Sequence, residues 1–178
     1  GDSLNDPRVK IQNRDAMKAL EDDASLYDVI IMDLPDPSEA SLAKLYSTAF
    51  FRLTTKHLRP RGIIVTQATS PFRSRKAFWS IVNTLESMEA NGRNKLHVKP
   101  YHTTIPTFGS WGFVLASWEP MQLNQMYLPQ KTKYLSPKLM PTLFEFPRDM
   151  QRLEVPVNNL NDPVIVELYT RGYHRYFD

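Results

Sequence analysis

Apolar residues in this chain fall into short unbroken runs, separated by stretches in which they recur every three or four positions. The strongest run is Val29 to Met32, which follows Tyr27-Asp28 and leads into Asp33-Leu34-Pro35-Asp36-Pro37. A short apolar run stopped by proline predicts a buried parallel strand. Next, Ser38-Glu39-Ala40-Ser41 offers N-caps for a helix whose Leu42, Leu45, Tyr46, Ala49, Phe50 and Leu53 keep i, i+3, i+4 spacing until Pro60-Arg61-Gly62 ends it. Gly62 to Gln67 predicts a second buried strand, opening into Thr69 and Ser70 before Pro71. A second amphipathic helix is expected over Arg75 to Glu89, with Asn91-Gly92 as its stop. His97 to Ile105 and Trp111 to Trp118 read as an antiparallel hairpin, because only Pro106 to Ser110 link them. Upstream, Val9 and Ile11 alternate with polar neighbours and predict a strand over residues 9 to 15, followed by one helical turn from Ala16 to Leu20. The fold class is α/β.

From Glu119 onward no period is sustained, and half of the chain's 14 prolines lie there. This predicts an irregular wrap with short helices. It closes on Asn161-Asp162-Pro163, a cap followed by proline at the first helical position, and a helix through Val164, Ile165, Leu168 and Tyr169 that stops near Gly172. The expected division is a sheet domain over residues 1 to 118 and a Pro-rich extension over 119 to 178 packing on the same domain.

Composition narrows the function classes. At 178 residues, with 42% hydrophobic and 23% charged, the chain has the size and balance of one globular domain. No apolar run approaches the roughly 18 residues that a membrane span requires. The absence of Cys removes disulfides, thiolate metal sites and a Cys nucleophile. The net charge of +3 is modest, and the cluster Lys56, Arg59, Arg61, Arg73, Arg75 and Lys76 reads as a solvated surface, so no nucleic-acid partner is expected.

The candidate chemistry lies where strands end. Open α/β sheets bind ligands beyond the carboxyl ends of their strands, which is where Asp33 and Asp36 fall. Two carboxylates there act as a base or as a cation trap, although Asp-Pro is equally a turn signal. Taken singly, Asp15 reads as a turn residue and Gln67 as structural. His102 precedes the hairpin turn and either faces the site or packs on the strand. His57, His97 and His174 lack metal-ligand spacing, so no residue is assigned to a metal. Trp79, Trp111 and Trp118 read as core or edge aromatics, and Ser70 has no His-Asp pattern around it.

Taken together, Asp15 after one predicted strand, DLPDP after the next, Gln67 after a third and then IPTF-GSWGF resemble the catalytic domain of the aminopropyltransferases, the spermidine synthase family, over about Asp6 to Ser117. The resemblance implies a Rossmann-like S-adenosylmethionine-dependent transferase sheet with an antiparallel terminal hairpin and an irregular C-terminal extension. It makes Asp33 the catalytic carboxylate that takes the proton of the attacking amine, and Asp36 the carboxylate that holds that amine. Gln67 and Phe108 fall at substrate-binding positions, and Asp15 with Ala16 at the position that reads the adenine of the co-substrate, decarboxylated S-adenosylmethionine. No prosthetic group is implied. The acceptor is a polyamine such as putrescine. Phe108 stands where the family carries tyrosine, and Leu34-Pro35 lie between the aspartates where soluble members often carry small hydroxylated residues.

The family's Gly-rich loop and the acidic residue after its second strand both lie upstream of the matching segment. The chain is therefore expected to be a fragment whose sheet lacks the first two strands. That truncation leaves an apolar edge on the Val29 to Met32 strand, covered either by the strand at residues 9 to 15 folding back or by edge-to-edge pairing in a homodimer. The Pro-rich tail is similar to the branch whose catalytic domain follows membrane-spanning helices. This implies a cytoplasmic domain, attached to a membrane only through upstream segments. Two alternatives stay open: a methyltransferase using S-adenosylmethionine, and a non-catalytic remnant for binding or oligomerisation.

Overall fold

A computed structural model describes residues 2–90, 94–123, 127–128 and 132–174. Along the chain come α1 (Ala16–Glu21), β1 (Tyr27–Met32), α2 (Ala40–Ala43), α3 (Thr48–Lys56) and β2 (Leu58–Gln67). They are followed by α4 (Arg75–Glu86), the two-residue strands β3 (Glu89–Ala90) and β4 (Asn94–Lys95), β5 (His97–Ile105), β6 (Gly109–Ser117) and α5 (Val164–His174). The main sheet has the order β1-β2-β6-β5, with β1 parallel to β2 and the other pairs antiparallel. The hairpin therefore joins the parallel pair through β6.

Period-two alternation divides the two faces of this sheet. Ile64, Val114 and Ala116, all fully buried, form one cluster with Phe50 and Phe51 of α3 and Phe78, Ile81 and Val82 of α4. On the opposite face Val29 and Ile31 are 56% and 73% exposed, while Val65, Phe113 and Leu115 are half-buried. The expectation that β1 is buried throughout thus holds only for its helix-facing side, where Met32 is 6% exposed. Helices cover one face and leave the other as an open floor.

The predicted strand over residues 9 to 15 is not formed. Val9 and Ile11 are exposed, residues 9 to 13 have no regular structure, and Asp15 already caps α1. An alternating pattern becomes a strand only where a partner supplies its hydrogen bonds, and none of the described strands lies on the free side of β1. The first segment therefore does not fold back onto that edge.

The helix expected after Ser38 is broken into α2, a 3₁₀ turn at Lys44–Tyr46, and α3. The break is at Ser47, whose extended backbone lets its hydroxyl accept from the Phe50 N–H at 3.3 Å, while Thr48 N–H donates to the Asn158 carbonyl at 3.0 Å. Pro60-Arg61-Gly62 does not end the helix, which stops at Lys56. These residues lie in a bulge of β2, between the pairs Tyr27 with Leu58 and Val29 with Ile63. Helix α4 ends at Glu86, short of the expected Glu89, and the Asn91-Gly92 stop lies outside the described residues.

The C-terminal segment lies along α4 and uses that helix's polar side chains as rungs. Trp79 Nε1 donates to the Met150 carbonyl at 3.1 Å, Ser80 Oγ to Pro156 at 2.8 Å and Asn83 Nδ2 to Val155 at 2.7 Å. Arg152 returns the contact, pairing with Glu86 and lying 5.6 Å from the Trp79 ring. Without sheet or helix of its own, this stretch must have its carbonyls satisfied by side chains. That is why an irregular wrap packs stably here.

Close approach of β6 to α4 demands a glycine at position 112. A Cβ there would lie 2.4 Å from the Phe78 ring and 2.9 Å from the Thr69 carbonyl oxygen. Phe78 is fully buried and cannot yield. Gly112→Ala is expected to cost about 2–3 kcal/mol, read as a lower midpoint in denaturant unfolding; an unchanged midpoint would contradict the packing described.

Candidate functional site

A groove of about 650 Å³ lies on the open floor of the sheet, at the carboxyl ends of β1 and β2. Ile31, Val65 and Phe113 form its base, and Tyr101, Phe108 and Trp111 of the hairpin its aromatic wall. Asp33 and Asp36 close the rim. No Lys, Arg or His is among its lining residues within the described chain. The two carboxylates therefore face the groove without a lining cation to compensate them.

The turn that carries these aspartates is fastened from beneath. Gln67, the last residue of β2 and 5% exposed, places its side-chain amide under the turn. Its Oε1 accepts from the Thr69 N–H at 2.9 Å and from the Trp111 indole N–H at 3.1 Å. Both partners are obligate donors, so the amide orientation is dictated and Nε2 faces the turn. From there it reaches the Leu34 carbonyl at 2.5 Å, the Tyr46 hydroxyl at 2.7 Å and Asp36 Oδ1 at 3.3 Å. Tyr46, fully buried, in turn donates to the Pro35 carbonyl at 2.9 Å. Burial pushes the Tyr46 phenol far above its ordinary range, with Asp36 and more weakly Asp33 adding to the shift and Gln67 opposing it. It remains a neutral donor at any physiological pH.

Thr69 follows in the left-handed region, with φ 58°, and its N–H and carbonyl face Gln67 and Gly112 respectively. Its hydroxyl is the buried side-chain oxygen that finds no partner among the described residues. A β-branched residue in this conformation is strained. The strain sits directly against the residue that orders the site.

Asp36 is half-buried and receives a second bond, at 2.9 Å to Oδ2, from the Tyr169 hydroxyl on α5. Phe108, 54% exposed, leans on Trp111 with ring centres 5.2 Å apart. The fold thus brings Asp33, Asp36, Gln67 and Phe108 into one groove. Asp15 and Ala16 are outside its lining: the Asp15 carboxylate caps α1 through the Met17 and Lys18 N–H groups and bonds Lys44 Nζ at 2.8 Å. That ammonium, before the backbone donors, holds Asp15 below the usual carboxylate range. His102 is on the other face of the sheet from the groove, where Nε2 donates to the Glu145 carbonyl at 2.8 Å and the ring packs on Phe146.

Sequence reasoning missed Tyr46, Trp111 and Tyr169 as parts of the site. Hairpin parity contained a signal for Trp111, since it shares a face with Phe113, which pairs with Gln67. Nothing local distinguishes Tyr46 from a core aromatic or brings Tyr169 to Asp36.

The spermine/spermidine synthase domain matches residues 1–128 of the chain. The polyamine aminopropyltransferase of Oceanobacillus iheyensis is 39% identical over 98% of this chain and 34% of its own length, and that of Leptospira interrogans 35% identical over 99% and 34%. The chain belongs to the spermine/spermidine synthase family. It spans about a third of the length of these relatives. Among solved structures, a spermidine synthase in complex with the transition-state analogue AdoDATO superposes with a TM-score of 0.67 at 19% identity, over 82% of this chain and 50% of the other. The spermidine synthase of Thermotoga maritima gives 0.64 at 19% identity, over 82% and 49%. At that identity the likeness concerns the fold, which is Rossmann-like. Membership of the spermidine synthase family disfavours the methyltransferase alternative.

If the Gln67 amide fastens the groove, removing it leaves the Trp111 indole, the Thr69 N–H and the Leu34 carbonyl short of partners. Gln67→Leu is expected to lower stability by about 2–4 kcal/mol, measured by urea unfolding with Trp fluorescence. A loss below about 0.5 kcal/mol, within the range of ordinary surface changes, would contradict this account.

Proposed function

We propose that this chain carries the amine-binding and proton-accepting half of an aminopropyltransferase site, moving an aminopropyl group from decarboxylated S-adenosylmethionine to a polyamine such as putrescine. The observation that carries the reading is the pair of uncompensated carboxylates, Asp33 and Asp36, at the rim of an aromatic-walled groove in a member of this family. An alkylamine with a pKa near that of Lys, about 10.4, is almost wholly protonated at neutral pH and arrives as a dication. Anions attract its two ends, and aromatic faces favour ammonium groups along the way. Each charge-assisted contact in such a partly desolvated groove contributes about 1.5–3 kcal/mol.

In the reaction, Asp36 holds one ammonium while Asp33 takes the proton of the other as general base. The freed nitrogen lone pair forms a C–N bond to the methylene beside the sulfonium. The C–S electrons return to sulfur, and methylthioadenosine leaves uncharged. Phe108 contributes a ring without a hydroxyl, so selection at that position rests on shape and cation–π attraction. Asp15 and Ala16, at the start of α1, are assigned to the adenine of the co-substrate. The exposed apolar edge of β1 suits edge-to-edge pairing in a dimer, and the family likeness suits a cytoplasmic reaction with any membrane attachment carried by other segments.

Asp33→Asn is expected to lower kcat for methylthioadenosine release about 10²–10⁴-fold and to weaken diamine binding as well, because one ammonium loses its carboxylate. Asp36→Asn should weaken putrescine binding, measured by titration calorimetry, by about tenfold or more. Wild-type protein that binds no diamine, or an Asp33→Asn variant with full turnover, overturns the proposal.

A further inference from the structure

Helix α5 lies outside the residues 1–128 matched by the family domain, yet it delivers a hydroxyl to the site. Its docking is specified on both sides of Tyr169. Four residues earlier, Ile165 is fully buried and its N–H donates to Asn158 Oδ1 at 3.3 Å. Asn158 is itself buried and donates through Nδ2 to the Ala43 carbonyl at 3.0 Å, tying the start of α5 to the end of α2. Three residues later, Gly172 meets the chain before α4 so closely that a Cβ would lie 2.8 Å from the Arg73 carbonyl oxygen and 2.8 Å from Ser74 Cα. Positions 165, 169 and 172 share one helix face. Tyr169 is therefore held between two fixed contacts, with its carbonyl also accepting from Ser74 Oγ at 3.4 Å.

The chemistry at Asp36 gives this placement a purpose. Its Oδ1 accepts from the Gln67 amide and its Oδ2 from the Tyr169 hydroxyl, at 3.3 and 2.9 Å. Both donors are neutral. A Lys or Arg here would orient the carboxylate equally well but would cancel the charge that an ammonium seeks. Two neutral donors fix the carboxylate plane and leave acceptor positions open toward the groove, since a carboxylate offers about four. A side chain held this way binds a cation without first losing its own rotamer freedom.

We propose that Tyr169 is a positioning residue that locks Asp36 for the ammonium end of a diamine, an inference that rests on the amine-site reading above. The C-terminal extension is then part of the substrate site as well as packing on α4. The locking is mechanical and electrostatically neutral, so its loss loosens the carboxylate without removing its charge.

The test is titration calorimetry with putrescine on the 178-residue chain as wild type, Tyr169→Phe, Asp36→Asn and the double variant, alongside urea unfolding of each. The ring is kept in Tyr169→Phe, so the unfolding midpoint should stay near that of wild type while putrescine affinity falls about fivefold to tenfold. In the Asp36→Asn background the same substitution should change affinity less than about twofold, because the group it orients has lost its charge. Equal affinity of wild type and Tyr169→Phe overturns the positioning role alone. So does a full loss that persists without the Asp36 carboxylate, which would mean that Tyr169 acts by another route. Wild type that binds no putrescine overturns the amine-site reading itself, and the role of Tyr169 falls with it.

Discussion

A single buried amide holds this structure's chemistry in place. Gln67 ends β2 beneath the Asp33–Asp36 turn, with donors from Thr69 and Trp111 on its oxygen and acceptors from Leu34, Tyr46 and Asp36 around its nitrogen. Those partners belong to the turn after β1, the chain after β2, the 3₁₀ turn before α3 and the hairpin. Away from bulk water such a network is strong when complete and costly when broken, so the amide couples the geometry of the rim to the integrity of the sheet. The strained Thr69 and the tight approach at Gly112 are local consequences of bringing β6 close enough for Trp111 to reach it.

Around this fixed point, the two faces of the sheet differ in what they carry. The helix-facing side carries the packed aromatic cluster, and the other carries the groove floor. A groove on a half-covered sheet has apolar walls and charge only at the rim. Among the described residues, the side-chain donors to Asp36, from Gln67 and Tyr169, are both neutral and preserve that division. In contrast, Asp15 is committed to capping α1 and to Lys44, and its charge is already answered within the fold.

Much of this was legible in the residues. The run before DLPDP, the Gly62–Gln67 strand and the hairpin are each dictated by local period and turn chemistry, and each forms, although β2 begins earlier, at Leu58, and β6 spans Gly109–Ser117 rather than Trp111–Trp118. The ordered appearance of DLPDP, Gln67 and IPTF pointed to the family, and four of the six site positions meet in the groove. The failures are equally physical. Val9 and Ile11 alternate like a strand, but no described strand offers them hydrogen bonds. The spacing of Leu42 to Leu53 reads as one helix, but Asn158, more than a hundred residues away in sequence, accepts the Thr48 N–H and stabilises a break at Ser47. His102 stands beside the turn in sequence and on the opposite face in space, because hairpin register alone decides which side a residue takes.

What the sequence determined by itself was therefore everything governed by neighbours along the chain: the periods of the strands and helices, the proline-stiffened turn, and the supply of two aspartates at a strand's carboxyl end. Only the tertiary structure decided which carboxylate is locked and by what. Tyr169 bonds Asp36 across 133 positions, and Tyr46 and Trp111 meet at Gln67 through contacts that no local pattern encodes. The physical reason is that a hydrogen bond depends on distance and direction in space, whereas periodicity reports only which face of an element is apolar. Packing of α5 through buried Ile165, and against the chain before α4 at Gly172, converts one into the other.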